Sequence, residues 1–236
     1  MPESPVLLIT GASSGIGAQT ARRAAESGYR LVLGARREDA LRELAAELGG
    51  EERAVGVRCD VTDWAQQQAL AQAALDSFGR LDAVFANAGF GASRGFLEES
   101  VEHWREMVLT NVLGVALTIR AALPTLLEAG RGHFLLTGSV AGRRALPGSL
   151  YSATKWSVTA IGESLRQELR QMHQNHSIRV TLIEPGITDT DFFDTRPGTE
   201  RALADDDIAR AVLYALEQPD RVDVNEILIR PTSQPT

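Results

Sequence analysis

The chain has 236 residues, 44% of them hydrophobic, and carries 24 Lys and Arg against 31 Asp and Glu, for a net charge of −7. That apolar fraction supports a buried core and excludes a disordered chain, and the negative sign disfavours nucleic acid and anionic membranes as partners. The single cysteine, Cys59, excludes an internal disulfide and reads as a small core residue.

Short apolar runs alternate with amphipathic stretches from end to end. Val6 to Thr10 reads as a buried strand, Gly15 to Ser27 as a helix, Arg30 to Ala35 as a second strand and Glu38 to Leu48 as a second helix. Ala54 to Cys59 as a strand, Asp63 to Phe78 as a helix and Leu81 to Ala86 as a strand continue the rhythm. Val101 to Ala129 is one long helical segment with Ser100 as its N-cap, and Pro124 is expected to bend or divide its last turns. His133 to Thr137 is a strand, Ser149 to His173 a long helix and Ile178 to Ile183 a strand. Asp205, Asp206 and Asp207 precede a helix running to about Glu217, where carboxylates suit the positive end of the dipole, and Glu226 to Ile229 is the last strand. This alternation predicts an α/β fold: a parallel sheet, doubly wound by right-handed crossovers, with helices on both faces. No linker divides it, so residues 1–236 read as a single domain. The Gly-, Pro- and Thr-containing stretch 186–204 follows the sixth strand on the ligand side and is expected to form a short substrate lid.

The first strand runs directly into Thr10-Gly11-Ala12-Ser13-Ser14-Gly15-Ile16-Gly17. Glycine serves where backbone turns tightly or approaches a ligand closely, and the free N–H groups of the following helix suit a pyrophosphate. Gly11, Ser13, Ser14, Gly15, Ile16 and Gly17 are therefore cofactor-binding candidates, although a purely structural strand-to-helix turn would use glycine too. NAD sites of this kind place a carboxylate at the end of the second strand; here that position reads Gly34-Ala35-Arg36-Arg37. Arg36 can pair a 2′-phosphate bidentately. Two arginines also oppose the dipole of the helix they open, so Arg36 and Arg37 point to NADP rather than to a plain surface. Asp60, with Val61 beside it, is placed to meet the adenine; Asp60 and Asp63 could instead cap the next helix. Asn87-Ala88-Gly89 puts small residues where adenosine would lie, and a plain turn would look the same.

Tyr151 and Lys155 stand four apart on a predicted helix and share a face. A nearby ammonium is expected to lower the tyrosine pKa from its usual value near 10 and make the pair a proton-transfer device. Ser139, ending the fifth strand in Thr137-Gly138-Ser139, would stand at the carboxyl edge of the sheet, where its hydroxyl can bond a carbonyl or alkoxide oxygen.

The combination of a glycine turn after the first strand, a serine ending the fifth and Tyr-x-x-x-Lys opening the next helix resembles the short-chain dehydrogenase/reductase family from about Val6 to Ile229. The resemblance implies a Rossmann-like, seven-stranded sheet of order 3-2-1-4-5-6-7. It implies that Tyr151 is the general acid/base, that Lys155 also holds the nicotinamide ribose and that Ser139 orients the substrate. Asn111, in Thr110-Asn111-Val112, matches the family's helix asparagine that supports a water relay to the lysine. Pro185-Gly186-Ile187-Thr188-Asp189-Thr190 matches its Pro-Gly motif, which implies Ile187 backbone on the carboxamide and Thr188 or Thr190 on the carboxamide or pyrophosphate. Many NADP-dependent members carry Arg or Lys where this chain has Ser14, which leaves Arg36 as the main phosphate anchor. The short segment after the Pro-Gly motif implies an open substrate site. The ending Val224 to Thr232 is similar to members acting on small 3-hydroxy acids and related alcohols.

The expected function is hydride transfer between NADP(H) and a small carbonyl or secondary alcohol, with no metal. His173 and His176, in a polar helix end, read as solvated residues. The alternative is a redox sensor that binds NADP(H) without turnover. Apolar residues on the outer faces of the two long helices, together with the resemblance, imply a homotetramer. The start Met1-Pro2-Glu3-Ser4 lacks a leader pattern, and no apolar run reaches the ~18 residues of a membrane span, so a soluble cytoplasmic protein is expected.

Overall fold

The structure, a computed structural model, describes residues 4–190 and 200–234. β1 (Val6–Thr10), β2 (Arg30–Ala35), β3 (Ala54–Arg58), β4 (Ala83–Ala86), β5 (Gly132–Thr137), β6 (Ile178–Pro185) and β7 (Glu226–Ile229) form one sheet of order β3-β2-β1-β4-β5-β6-β7. All its pairings are parallel. A parallel sheet roofed on both faces needs continuous apolar strands, and β1, β4 and β6 are buried along their whole length. The edge strands β3 and β7 alternate between more and less exposed positions.

Successive strand residues point to opposite faces, and the core divides accordingly. Val6, Leu8 and Val32 pack with Leu70, Ile119 and Val158 under α3 (Trp64–Phe78), α5 (Val115–Ala129) and α6 (Leu150–Gln171). Leu7, Ile9, Leu31 and Leu33 pack with Ala21, Leu41 and Val212 under α1 (Gly15–Glu26), α2 (Glu38–Glu47) and α7 (Asp205–Leu216). Cys59 lies in the first cluster, its thiol pushed up to about 12 by burial. Asp63, Ser100 and Ser149 cap their helices by accepting from the N–H groups of Gln66, His103 and Ser152. Asp63 is thus a cap, as one of the two readings had it.

Several boundaries differ from expectation. β4 starts at Ala83, and just before it Asp82 still bonds both neighbours through its backbone, to Val6 O and from His133 N (3.0 Å each), while its carboxylate accepts from Val6 N (2.8 Å) and Arg80. β6 runs on through Glu184 and Pro185, which pair with Leu228 and Ile229 of β7. The segment 101–129 is irregular at a different place from the one expected: Pro124 sits inside α5 without dividing it, whereas α4 (Val101–Val108) and α5 are joined by a π-helical turn, Leu109–Gly114. Gly114 lets this wide turn approach Val61, whose Cγ2 would stand 2.7 Å from a Cβ there. The buried Gln67 amide donates to the carbonyls of Val61 and Gly114 and to the Thr118 hydroxyl.

By length and average composition Val101–Ala129 could cross a membrane, although no uninterrupted apolar run within it reaches the length of a span. Thr110, Asn111, Thr118 and Arg120 interrupt the run without offsetting its average. Here it packs on the sheet, giving Val115, Ile119, Ala122 and Leu126 to the core.

Candidate active site

The carboxyl ends of the central strands share one edge of the sheet, and the sequence candidates gather there. At the end of β1, Gly11 and Gly15 have φ of +66° and +52°, backbone that a side chain would strain. Gly17 serves packing, since a Cβ on it would stand 2.3 Å from Gly11 O. Ser14 is the N-cap of α1 with no side-chain cap bond, so the helix presents its first N–H groups to the turn. Thr190 lies over this turn: its Cβ would be 3.3 Å from a Cβ on Gly15. Such a cradle fits a pyrophosphate.

Arg36 is exposed at the carboxyl end of β2, and Arg37 donates to Ser13 Oγ at 3.1 Å and Ser13 O at 3.3 Å. The two arginines thus lie beside the glycine turn. Asp60 Oδ1 accepts from Thr62 N (3.0 Å) and Thr62 Oγ1 (2.7 Å). Burial opposes ionisation of Asp60, but the Thr62 bonds and the nearby Arg36 and Arg58 charges hold its pKa below the usual carboxylate value. Val61 turns its side chain into the core. Asn87 is spent on scaffolding: its Nδ2 donates to Thr10 O (3.1 Å), its Oδ1 accepts from Thr137 Oγ1 (3.1 Å), and it binds β4 to both neighbours. Ala88 N donates to Thr10 Oγ1.

Ser139, from the end of β5, and Tyr151 and Lys155, one turn apart on α6, come together at this edge. The Ser139 and Tyr151 side chains are hydrogen-bonded. Lys155 is buried, donates from Nζ to Thr137 O at 2.8 Å, and lies 5.6 Å from the centre of the Tyr151 ring. Asn111, inside the π turn, bonds Phe90 on both sides, accepting from its N at 3.0 Å and donating to its O at 2.8 Å. It also donates to Thr154 Oγ1 at 3.2 Å. Asn111 and Lys155 converge on Gly89, where a Cβ would stand 3.0 Å from Asn111 Oδ1 and 3.7 Å from Lys155 Nζ. On the substrate side, Gly95 N donates to Gly148 O at 2.8 Å, joining the loop after β4 to the loop before α6.

The expected lowering of the Tyr151 pKa by Lys155 is not what the structure gives. Burial pushes the phenol up to about 12, the Ser139 hydrogen bond opposing the rise. Burial also brings Lys155 down to about 8. Desolvation disfavours the charged form of each group.

After β6 the chain is pinned by Leu203, which bonds Ile187 O and Asp189 N. Thr188 is buried and turns its hydroxyl onto Gly186 O at 3.2 Å. Residues 191–199 of the expected lid lie outside the described residues. Two features carry no mark in the sequence: Gln234, whose Oε1 accepts from Ile187 N at 2.9 Å, and the pair of the buried Glu184 with the partly exposed Arg143 beside Ser139.

The profile of the family described as short chain dehydrogenase matches residues 5–201. An uncharacterized oxidoreductase of Staphylococcus saprophyticus is 39% identical over 97% of this chain and 96% of its own. An alcohol dehydrogenase from the archaeon Thermococcus sibiricus, solved with 5-hydroxy-NADP, superposes with a TM-score of 0.88 at 35% identity, covering 99% of each chain. A short-chain dehydrogenase/reductase from Burkholderia phymatum, solved with NAD, gives 0.84 at 31% identity over 96% of this chain and 89% of that one.

Proposed function

The chain belongs to the short-chain dehydrogenase/reductase family of oxidoreductases, and on that premise we propose that it transfers hydride between NADP(H) and a small carbonyl or secondary alcohol, with Tyr151 as the proton-transfer residue. The observation that carries this reading is the cluster of Ser139, Tyr151 and Lys155 beside a glycine cradle fit for a pyrophosphate.

Relatives in this family are solved with either dinucleotide, so the choice rests on this chain's own residues. Arg36 is exposed at the end of β2, with no acid on that strand's last residues, and a guanidinium there favours a 2′-phosphate. Gly11, Ser13, Ser14, Gly15, Ile16 and Gly17 would hold the pyrophosphate, with Arg37 and Thr190 at its side. Asp60 and Val61 would border the adenine. Ala88 and Gly89, braced by Asn87, would line the adenosine. Pro185, Gly186, Ile187 and Thr188 would meet the carboxamide.

A bound nicotinamide supplies or takes up the hydride. The chain handles the proton and the substrate oxygen. Burial keeps the proton on the Tyr151 phenol at neutral pH, which leaves it available to a developing alkoxide. Ser139 orients the oxygen through its hydroxyl. Lys155, held by Thr137 O, places a positive charge near the phenol and stabilises the phenolate left behind. Asn111 holds the loop at Phe90 against α6 through Thr154.

Exposed Val108, Leu109 and Leu113 at the π turn and Trp156 on α6 support assembly of copies of the chain through these helices, and a tetramer is the state proposed. Light scattering of the wild type beside Trp156→Glu tests that part.

The test of the activity follows NADPH absorbance against a panel of small aldehydes, ketones and oxo acids, with Tyr151→Phe as control. Turnover that is lost in the variant supports the reading; turnover that survives it removes Tyr151 from the role. Tight NADPH binding with no turnover on any substrate would favour a sensor.

A further inference from the structure

Glu184 has a side-chain exposure of 1%. A carboxylate so buried needs partners. Arg143 Nε donates to its Oε1 at 2.6 Å, and another nitrogen of the same guanidinium lies 2.5 Å from Glu226 Oε1 on β7. Burial still raises the Glu184 pKa, against the pull of Arg143. Replacing such a pair with well-packed apolar side chains is often neutral for stability, so stability alone is a weak reason for it to stand here.

Its surroundings supply a better one. Glu184 packs against the backbone just before Ser139: a Cβ on Gly138 would stand 3.0 Å from Glu184 Cγ. Pro185, next in the chain after Glu184, has its carbonyl 3.4 Å from Ser139 Oγ. Ser139 opens the short 3-10 turn Val140–Gly142 and Arg143 closes it, with Gly142 N donating to Ser139 O at 2.8 Å and Arg143 N to Val140 O at 3.0 Å. Glu184 therefore holds the Arg143 end of the turn through its carboxylate, while its Cγ and the carbonyl of the next residue border the Ser139 end.

We propose that Glu184 and Arg143 are a positioning pair for Ser139, setting where its hydroxyl meets Tyr151 and hence how well Tyr151 transfers a proton. Neither residue touches substrate; both act through Ser139. The inference rests on the reading of Tyr151 and Ser139 given above.

The test is a double-mutant cycle in the full chain, using NADPH and the best carbonyl substrate from the panel. Glu184→Gln keeps the shape and loses the charge, and Arg143→Lys keeps the charge and loses the fork. Each is expected to lower kcat about tenfold with KM little changed, while cofactor affinity stays at the wild-type value. Ser139→Ala alone is expected to cost more, and adding Glu184→Gln to it should cost almost nothing further, because a positioning residue has nothing left to position. In alcohol oxidation, where Tyr151 must lose its proton, the acid limb of the pH profile should move upward in Glu184→Gln and in Ser139→Ala alike.

Losses that multiply in the double variant, or a Glu184→Gln enzyme of unchanged kcat, would overturn the proposal. If Glu184→Gln fails to fold, Arg143→Lys carries the same cycle. If Tyr151→Phe keeps full activity, the parent reading falls and takes this proposal with it. If only the Tyr151 and Ser139 variants lose activity, the parent reading stands and this proposal falls alone.

Discussion

Ile187 gives its backbone N–H to the side-chain amide oxygen of Gln234, 2.9 Å away. One N–H serves one strong acceptor, and under the proposed function this donor is also the one that meets the nicotinamide carboxamide. The chain's own carboxamide then competes with the cofactor's. Gln234→Ala should tighten NADPH binding by about the strength of one net hydrogen bond, severalfold in Kd. Fluorescence titration of wild type and variant measures it, and equal affinities would show that Gln234 yields without cost.

Arg36 should decide between the two dinucleotides. Arg36→Asp is expected to lower kcat/KM for NADPH by about 10–100-fold, the range of a charge-assisted bond lost, with NADH use much less affected. Initial rates with both cofactors test this; a matched fall with both would place Arg36 outside the phosphate site.

Lys155 sets a trade between activity and stability. Its pKa falls from 10.5 to about 8 on burial, which corresponds to ~3 kcal/mol against the charged form. The unfolded chain keeps that proton up to its own higher pKa, so stability should rise as pH climbs from about 8 towards 10.5. Lys155→Met should abolish turnover, raise the melting temperature at neutral pH and flatten that rise, less about 1 kcal/mol for the lost bond to Thr137 O. Thermal melts across alkaline pH read both effects. In the wild type, reductase activity should fall along a limb near 8 as the ammonium discharges.

His133 should make the fold sensitive to acid. It is buried in β5, and burial holds its pKa well below 6.5. Thr181 gives its hydroxyl proton to Val224 O at 2.6 Å, so its oxygen accepts from His133 Nε2 at 2.7 Å, which puts the ring's proton on Nε2. Below about 6.5 the unfolded chain takes a proton that the native one refuses, and stability drops with pH. In His133→Phe the decline in urea midpoint on acidification should be shallower, whatever the variant's stability at neutral pH. An identical slope would assign the acid loss to other groups.

The fold was readable because its signals are local. The apolar run Val6 to Thr10, the glycines at 11, 15 and 17, and the four-residue spacing of Tyr151 and Lys155 each speak through a few neighbouring residues. What escaped depends on contacts distant in the chain. Glu184 carries no mark of its role in the sequence because its partner, Arg143, is 41 residues away. The π turn has no composition of its own; it is held by Val61 against Gly114 and by the Gln67 amide. The Tyr151 pKa was misjudged for the same reason: spacing shows that an ammonium is near, whereas desolvation depends on everything packed around both groups.

The π turn at Leu109–Gly114 makes the setting of Asn111 a matter of helix winding as well as side-chain identity. Deleting one residue there would let the two flanking α-helices fuse into a regular rod and draw the residues of the turn back into the helix wall. Asn111 would survive as a residue and leave Phe90 and Thr154 behind. A lineage could therefore silence or re-aim this chemistry through a single in-frame codon loss, without altering any of its reactive groups.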